Sequence, residues 1–242
     1  MKQIILLISI VSAFVSCSPT SQMSSDNLYR AAGYNSVFEE PITHSLFTDK
    51  NATISEENIQ KILEGCYELP EILRVAIVKL EGKQYNRRNY YWDLTSEEYL
   101  KSQQAYLELF TENFKSSQRV TSVSIIPELL ISNNPTFIHI RESAVRTQAD
   151  IVAIFSITSE IYSRPRVFSP EMIKAFATIE FILLDVRTGL IPFSTIVTKD
   201  YESKRQKEDF DLSEARNRVK NEAVLLTINE IGGQLTKFLK SD

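Results

Sequence analysis

The sequence has few of the residue types from which most catalytic and metal sites are built. Its 242 residues include two cysteines, two histidines and six glycines. The glycines form neither a GxGxxG pattern nor a Walker-type phosphate loop, and there is no Gly-x-Ser-x-Gly elbow. Neither His44 nor His139 lies in a cysteine–histidine pattern with the spacing of a structural metal site. We therefore expect no catalytic residue, no metal and no cofactor, and we interpret the chain as a non-enzyme.

Excess positive charge is also missing. The 27 lysines and arginines are outnumbered by 31 aspartates and glutamates, so the net charge is −4 at pH 7. A chain without a basic patch lacks the electrostatic attraction that nucleic acids and anionic lipid surfaces require. The acidic pairs Glu56-Glu57 and Glu97-Glu98 each begin a predicted helix, where negative charge favours the helix dipole. We do not interpret either pair as a general acid and base.

No long apolar run follows residue 17. Residues 1–17 combine one early positive charge, an apolar run over 4–15 and a small residue before Cys17, the pattern of a secretion signal. The run is too short to span a bilayer, which takes about 20 residues. Phe14 to Cys17 resembles a bacterial lipobox, and this resemblance implies that Cys17 is acylated. Cleavage near Ala13, which would leave a soluble protein, is the alternative.

The residues after Cys17 divide into three segments. Residues 18–27 are polar and serine-rich, which predicts a tether. Residues 28–50 have too many large apolar side chains for a free linker, so we expect an arm that docks on its own domain or on a neighbour. Residues 51–242 are predicted to form a single α/β domain. Within it, Cys66 is expected to be a small buried apolar residue.

Hydrophobic periodicity in residues 51–242 predicts helix, strand, helix, strand, helix, strand, hairpin and helix in that order. The helices begin near residues 55, 95, 136 and 212, and the strands cover 73–80, 120–126, 150–162, 172–185 and 190–201. Asp185 and Gly189 are predicted to form the hairpin turn. The pattern indicates an α/β fold with a mixed β-sheet of about five strands and helices packed on it, ending in a β-hairpin and a long C-terminal helix.

The residue patterns of the last predicted helix and of the first predicted strand indicate how each packs in the domain. The helix over 212–239 is expected to bury a stripe that includes Leu226, and its Gly232-Gly233 pair predicts either a kink or close packing on the sheet. Residues 73–80 are rich in valine and isoleucine, which predicts burial on both faces of the sheet.

Residues 148–198 carry a family resemblance. They contain TQADIVAIFSI and then ATIEFILLDVRTGLIPFST. Ala149-Asp150 and Leu183 to Gly189 match a pattern in which Ala-Asp opens one strand and a second strand ends in Leu-x-Asp-x-x-Thr-Gly. The pattern resembles that of the curli-secretion (CsgG-like) family and of lipoprotein activators of peptidoglycan synthases, which share the fold of the TolB amino-terminal domain. The resemblance implies this fold over about 73–240 and an envelope lipoprotein that acts through protein partners.

Two arginine-bearing segments are candidate partner-binding sites, because arginines and aromatic residues are enriched in interface hot spots. The candidates in the first segment are Tyr85, Arg87, Arg88, Tyr90, Tyr91 and Trp92. The candidates in the second, a predicted loop over 163–171, are Arg164 and Arg166. The alternative for the first segment is a loop whose rings cover the edge of the core.

We therefore expect an envelope lipoprotein, anchored in the outer membrane and facing the periplasm, that acts as a non-catalytic protein-binding or assembly module. Its partners would be other envelope proteins or a second copy, and not nucleic acid. A subunit of an oligomeric secretion channel of the curli type is the alternative. That alternative requires strands of about 9–11 residues with lipid-facing alternation, and neither 163–171 nor the charged segment 201–211 supplies them.

Overall fold

A computed structural model describes residues 55–80, 97–131, 135–164 and 171–240. These residues belong to one compact unit, Glu39–Asp242. Several sequence predictions lie outside the described residues. They are the lipid on Cys17, the tether and arm over 18–50, the candidates in 85–92, and Arg166.

The described residues contain four α-helices and five β-strands in the predicted order. The helices are α1 (Glu56–Glu64), α2 (Glu97–Lys115), α3 (Phe137–Arg146) and α4 (Leu212–Lys240). The strands are β1 (Leu73–Leu80), β2 (Val120–Ile125), β3 (Ile151–Arg164), β4 (Met172–Asp185) and β5 (Phe193–Lys204). Helix α1 begins at the N-cap Ser55, whose hydroxyl accepts a hydrogen bond from the Asn58 N–H. Thr136 caps α3 in the same way through the His139 N–H.

The five strands form one mixed sheet in the order β2-β1-β3-β4-β5, which confirms the predicted fold class. Strand β1 is parallel to both β2 and β3, and the β3–β4 and β4–β5 pairs are antiparallel. Leu80, the last residue of β1, pairs with Ser156, but β3 continues to Arg164. The three antiparallel strands therefore extend well beyond the end of β1.

One face of the sheet, which we call the covered face, carries helices α2 and α4. Odd-numbered residues of β1, β3, β4 and β5 point into this layer, as the alternation in 172–185 predicts. Phe110 on α2 lies at the centre, with ring centroids 4.5 Å from Phe155 and 5.6 Å from Phe181. This cluster holds most of the buried apolar side chains and fixes the position of the long strands.

The opposite face is covered at one end. Ile140 and Ala144 of α3 pack there with Val152, Ile154 and Leu184. Because residues on β1 pack on both faces, the prediction that this strand is buried on both sides is confirmed. Beyond Ser156, the even-numbered residues of β3, β4 and β5 are half-buried or exposed. We call this uncovered part the open face.

Four details differ from the sequence predictions. Strand β3 includes Arg164, so this residue lies on a strand and not in a loop. Strand β5 begins at Phe193 and continues through Lys204, because alternation places Asp200, Glu202 and Lys204 on the exposed side. Leu226 is exposed, and Thr227 and Ile228 are buried in its place, because the helical repeat turns Leu226 away from the sheet. Cys66 is half-buried.

The Gly232-Gly233 pair lies inside the continuous helix α4, and the close approach at Gly232 is to helix α2 and not, as predicted, to the sheet. A Cβ atom built on Gly232 would lie 2.4 Å from Asn113 Cγ on α2. At Gly233 the same atom would meet nothing within 4 Å. Gly232 therefore lets α2 and α4 approach each other, and Gly233 does not.

Candidate functional site

The structure brings together the two sequence pieces that carry the family resemblance. Asp150 immediately precedes β3, Asp185 ends the adjacent antiparallel strand β4, and the Val186 N–H donates to the Asp150 carbonyl at 2.9 Å. The Asp150 N–H donates to the Arg74 carbonyl at 2.8 Å. The first residues of β1 and β3 therefore meet the end of β4 at one corner of the sheet, which we call the motif corner.

Asp185 stabilises the turn that follows β4. Its buried carboxylate accepts hydrogen bonds from the Thr188 N–H (2.6 Å) and hydroxyl (2.8 Å), and from the Tyr67 hydroxyl at 3.0 Å. Gly189 has a φ of 78°, a conformation that favours glycine, and its N–H donates to the Asp185 carbonyl. Burial, followed by the charge of Asp185, raises the pKa of the Tyr67 hydroxyl. The carboxylate of Asp185 is occupied by these internal bonds, which gives it a role in holding the turn.

Arg141 on α3 also holds this turn, and the sequence reasoning missed it. Its guanidinium donates to the Val186 carbonyl at 3.1 and 2.9 Å and to the Arg187 carbonyl at 3.3 Å. Helix α3 and the turn are therefore fixed to each other. No local spacing in the sequence relates Arg141 to residues 45 positions away, so the contact needs the tertiary fold.

Asp150 is bound by Arg74 at the other side of the motif corner. The Arg74 backbone N–H, Nε and Nη2 donate to the two carboxylate oxygens at 3.1, 2.9 and 2.8 Å. These hydrogen bonds, more than any other interaction, hold the pKa of Asp150 below its usual value. Asp150 therefore stays ionised and links β1 to β3.

The open face at the other end of the long strands has a different composition. Tyr162 is 55% exposed, and its ring meets Phe176 edge-to-face with centroids 5.8 Å apart. Lys174 lies 4.8 Å from the Phe176 ring centroid and forms an ion pair with Asp200 at 2.9 Å. Aromatic rings beside charged side chains form the kind of surface that binds proteins, because it supplies both apolar area and polar partners.

Arg164, a sequence-predicted contact residue, lies on this open face. It is the last residue of β3, it pairs with Met172, and it is exposed. The even-numbered side chains of β3 place Arg164 on the same face as Tyr162, two residues away. Arg164 and Arg166 are the two candidates predicted in this segment, and Arg164 is the one within the described residues. It lies next to the exposed Tyr162.

Phe210, at this end of the molecule, was not among the residues predicted from the sequence. Phe210 is 92% exposed in the connection between β5 and α4. The connection is held by the Arg205 N–H, which donates to the Glu171 carbonyl before β4, and by Asp209, which binds Arg218 at 2.9 and 2.8 Å. One phenylalanine within the highly charged run 202–211 is the signal that could have identified it.

The described ranges contain no group of three or more histidine, cysteine, aspartate or glutamate side chains that could bind a metal ion. Among the helices in those ranges, none has both the length and the apolar character needed to cross a membrane. His139 is exposed and lies on α3.

No protein-family model matches the chain. No curated protein matches it either. Several solved structures do match, and three of them illustrate the level of similarity.

The first is a hypothetical protein from Chlamydia trachomatis, with a TM-score of 0.44 and 13% identity, covering 71% of this chain and 99% of its own. The second, from Xanthomonas campestris, has a TM-score of 0.38 and 10% identity and covers 70% and 86%. The third, a lipoprotein from Neisseria meningitidis, has a TM-score of 0.33 and 14% identity and covers 68% and 98%. At TM-scores below 0.5, these three matches support no conclusion about family or activity.

Proposed function

We propose that the chain is a bacterial envelope lipoprotein, anchored in the outer membrane through Cys17 and facing the periplasm, that binds another protein without catalysing a reaction. The observation that carries the binding role is the open face. It combines an exposed Tyr162, the Phe176 ring and Arg164. The strands that carry them are held in place by the helices packed on the covered face. Aromatic and arginine side chains presented on a rigid element are typical of interface hot spots.

The rigidity of the open face supports this proposal. Strand β4 lies between β3 and β5 and pairs with both along its length, and its odd-numbered residues are buried under α4. Tyr162 and Phe176 therefore lose little conformational freedom when a partner binds, which favours affinity. The exposed Phe210 is at the same end of the strands and offers a second apolar contact.

Site-specific photo-crosslinking in the native bacterium tests the binding role. A photoreactive phenylalanine analogue replaces Tyr162, and the matched control replaces the exposed Leu226 on α4. We expect an adduct at position 162 that is absent at position 226. Mass spectrometry identifies the adduct as another envelope protein or as a second copy of this chain. The same adducts at both positions, or none at position 162, would contradict the proposed contact surface.

The anchor is tested separately, so that its failure does not affect the contact surface. The wild-type chain is expected to incorporate radiolabelled palmitate and to sediment with the outer-membrane fraction. Cys17→Ser is expected to abolish both. Palmitate incorporation that persists in the Cys17→Ser variant would show that the lipid is not on Cys17.

A further inference from the structure

A cleft of about 400 Å³ lies at the motif corner, at the opposite end of the long strands from Arg164. Its charged lining residues are Arg74, Asp150 and Arg187, which come from the start of β1, the residue before β3 and the turn after β4, and Gln148 adds an uncharged polar residue. Val145 at the end of α3 contributes an apolar wall and is exposed. Three separate parts of the chain therefore build one small site.

The cleft carries a net positive charge. Arg74 and Arg187 contribute two positive charges, and Asp150 contributes one negative charge. Arg187 Nη2 is 3.8 Å from an Asp150 oxygen, beyond hydrogen-bonding distance, and the Arg187 side chain is 71% exposed. The hydrogen bonds from Arg74 to Asp150 engage Nε and Nη2, whereas Nη1 of a guanidinium carries two further N–H donors. An anion can therefore approach both guanidinium groups.

The arginine that needs least rearrangement to bind a ligand is Arg74. Its contacts with Asp150 fix the guanidinium plane, and Asp150 is itself fixed by backbone hydrogen bonds to Arg74 on β1 and to Val186 just after β4. A fixed guanidinium loses little conformational freedom when it binds a carboxylate. Arg187 is positioned by a turn that Asp185 and Arg141 hold in place.

We propose that this cleft binds an aliphatic monocarboxylate, whose oxygens bridge Arg74 and Arg187 and whose aliphatic group contacts Val145. A single net positive charge matches a monoanion and leaves a phosphate dianion under-neutralised. Arginine forks bind planar carboxylates through paired N–H donors, and the apolar wall favours an organic acid over an inorganic ion. This site is separate from the open face, so it stands independently of the protein-binding role.

Saturation-transfer difference NMR on the full-length protein, purified from the native bacterium in detergent micelles, tests this proposal. The probe is N-acetyl-L-valine, and its matched control is N-acetyl-L-valinamide, which has the same shape without the charge. We expect the acid to bind with a Kd of about 1 mM, as its size permits. The amide is expected to give no signal above that of empty micelles. Inorganic phosphate at equal concentration is expected not to displace the acid.

Two variants test whether the acid binds in this cleft. Arg187→Gln is expected to weaken binding of the acid by about tenfold, because a charge-assisted hydrogen bond is lost. Val145→Glu, which adds a carboxylate to the wall, is expected to abolish binding. The control Arg146→Gln removes a similarly exposed arginine, which pairs with Glu142 on the same helix as Val145, and is expected to leave the Kd unchanged.

Three outcomes of these NMR measurements would contradict the proposal or a part of it. Equal signals from the acid and the amide, or an unchanged Kd in both Arg187→Gln and Val145→Glu, would overturn the proposal. Displacement by phosphate would overturn the assignment of a carboxylate. Because Arg187 and Val145 are exposed, unchanged thermal unfolding of both variants is expected and shows that a lost signal comes from the site.

Discussion

The covered and open faces of the sheet are built from the same three long strands, yet they use aromatic side chains in different ways. On the covered face, Phe110, Phe155 and Phe181 are fully buried and pack against one another. On the open face, Tyr162 and Phe176 also contact each other, but Tyr162 stays in water. Buried rings contribute to folding through their area, whereas exposed rings leave their area available to a partner.

Strand β4 allows this comparison to be tested with one residue type. Phe181 and Phe176 lie five residues apart and point to opposite faces. We expect Phe181→Ala to lower the free energy of unfolding by about 4 kcal/mol, because it leaves a cavity between α2 and the sheet. Phe176→Ala, the matched variant, is expected to cost about 1 kcal/mol through loss of its contacts with Tyr162 and Lys174. Urea unfolding of both variants gives the two values, and equal losses would remove the distinction between the faces.

The adjacent glycines of α4 test how closely the covering helices must approach. Gly232→Ala is expected to destabilise the protein by about 2 kcal/mol, because the new methyl group must displace the side-chain amide of Asn113. Gly233→Ala is expected to stabilise it by up to about 1 kcal/mol, because alanine favours a helix and the site is open. Thermal unfolding of the pair measures both effects. A stabilising Gly232→Ala would mean that α2 and α4 are separated by more space than the structure gives.

The connection that presents Phe210 depends on Asp209. Hydrogen bonds from Arg218, followed by smaller contributions that include the Gln206 N–H, lower the pKa of Asp209 to about 2. Because the folded-state pKa is below the ordinary value, the stability from this ion pair is complete above about pH 4 and is lost as the pH falls towards 2. At pH 7, Asp209→Asn is expected to cost about 2 kcal/mol, since two charge-assisted hydrogen bonds are weakened.

The control for this prediction comes from the open face. Asp200→Asn breaks a solvent-exposed ion pair with Lys174 and is expected to cost at most about 0.5 kcal/mol. Urea unfolding between pH 2 and 7 compares the two variants. The wild-type protein and Asp200→Asn should lose stability as the pH falls below 4, and Asp209→Asn should lose less over that interval. Parallel curves for all three proteins would exclude the role of Asp209.

The sequence predicted the fold where a local period was present, and it failed where a contact joins distant residues. Alternation in 172–185 was enough to assign the buried side of β4, because a strand repeats every two residues. Leu226 was assigned wrongly, since a helical stripe drifts with the 3.6-residue repeat over a helix as long as α4. The contact of Arg74 with Asp150, 76 residues apart, depends on strand order, which no local pattern carries. Phe210 was missed because an isolated apolar residue has no period.

Only a small change in stability is expected at Tyr162, the residue that matters most for the proposed binding role. Tyr162→Ala is expected to change the free energy of unfolding by less than about 1 kcal/mol, since its ring is more than half exposed and its hydroxyl bonds to the exposed Glu160. The matched variant Tyr106→Ala, on the covered face, removes a buried ring and its hydrogen bond to Asn221 and is expected to cost about 4 kcal/mol.

For affinity to the crosslinked partner, Tyr162 should matter more than Tyr106, the reverse of their order in stability. Once photo-crosslinking at position 162 has identified that partner, surface plasmon resonance is expected to show at least about tenfold weaker binding to Tyr162→Ala, the loss typical of a hot-spot aromatic residue. Arg164→Ala is expected to weaken binding by a smaller factor, because an exposed charge on the rim affects association more than affinity. If Tyr162→Ala bound the partner as tightly as the wild-type protein, the exposed aromatic pair would be a solvated surface, and the search for the contact would move to Phe210.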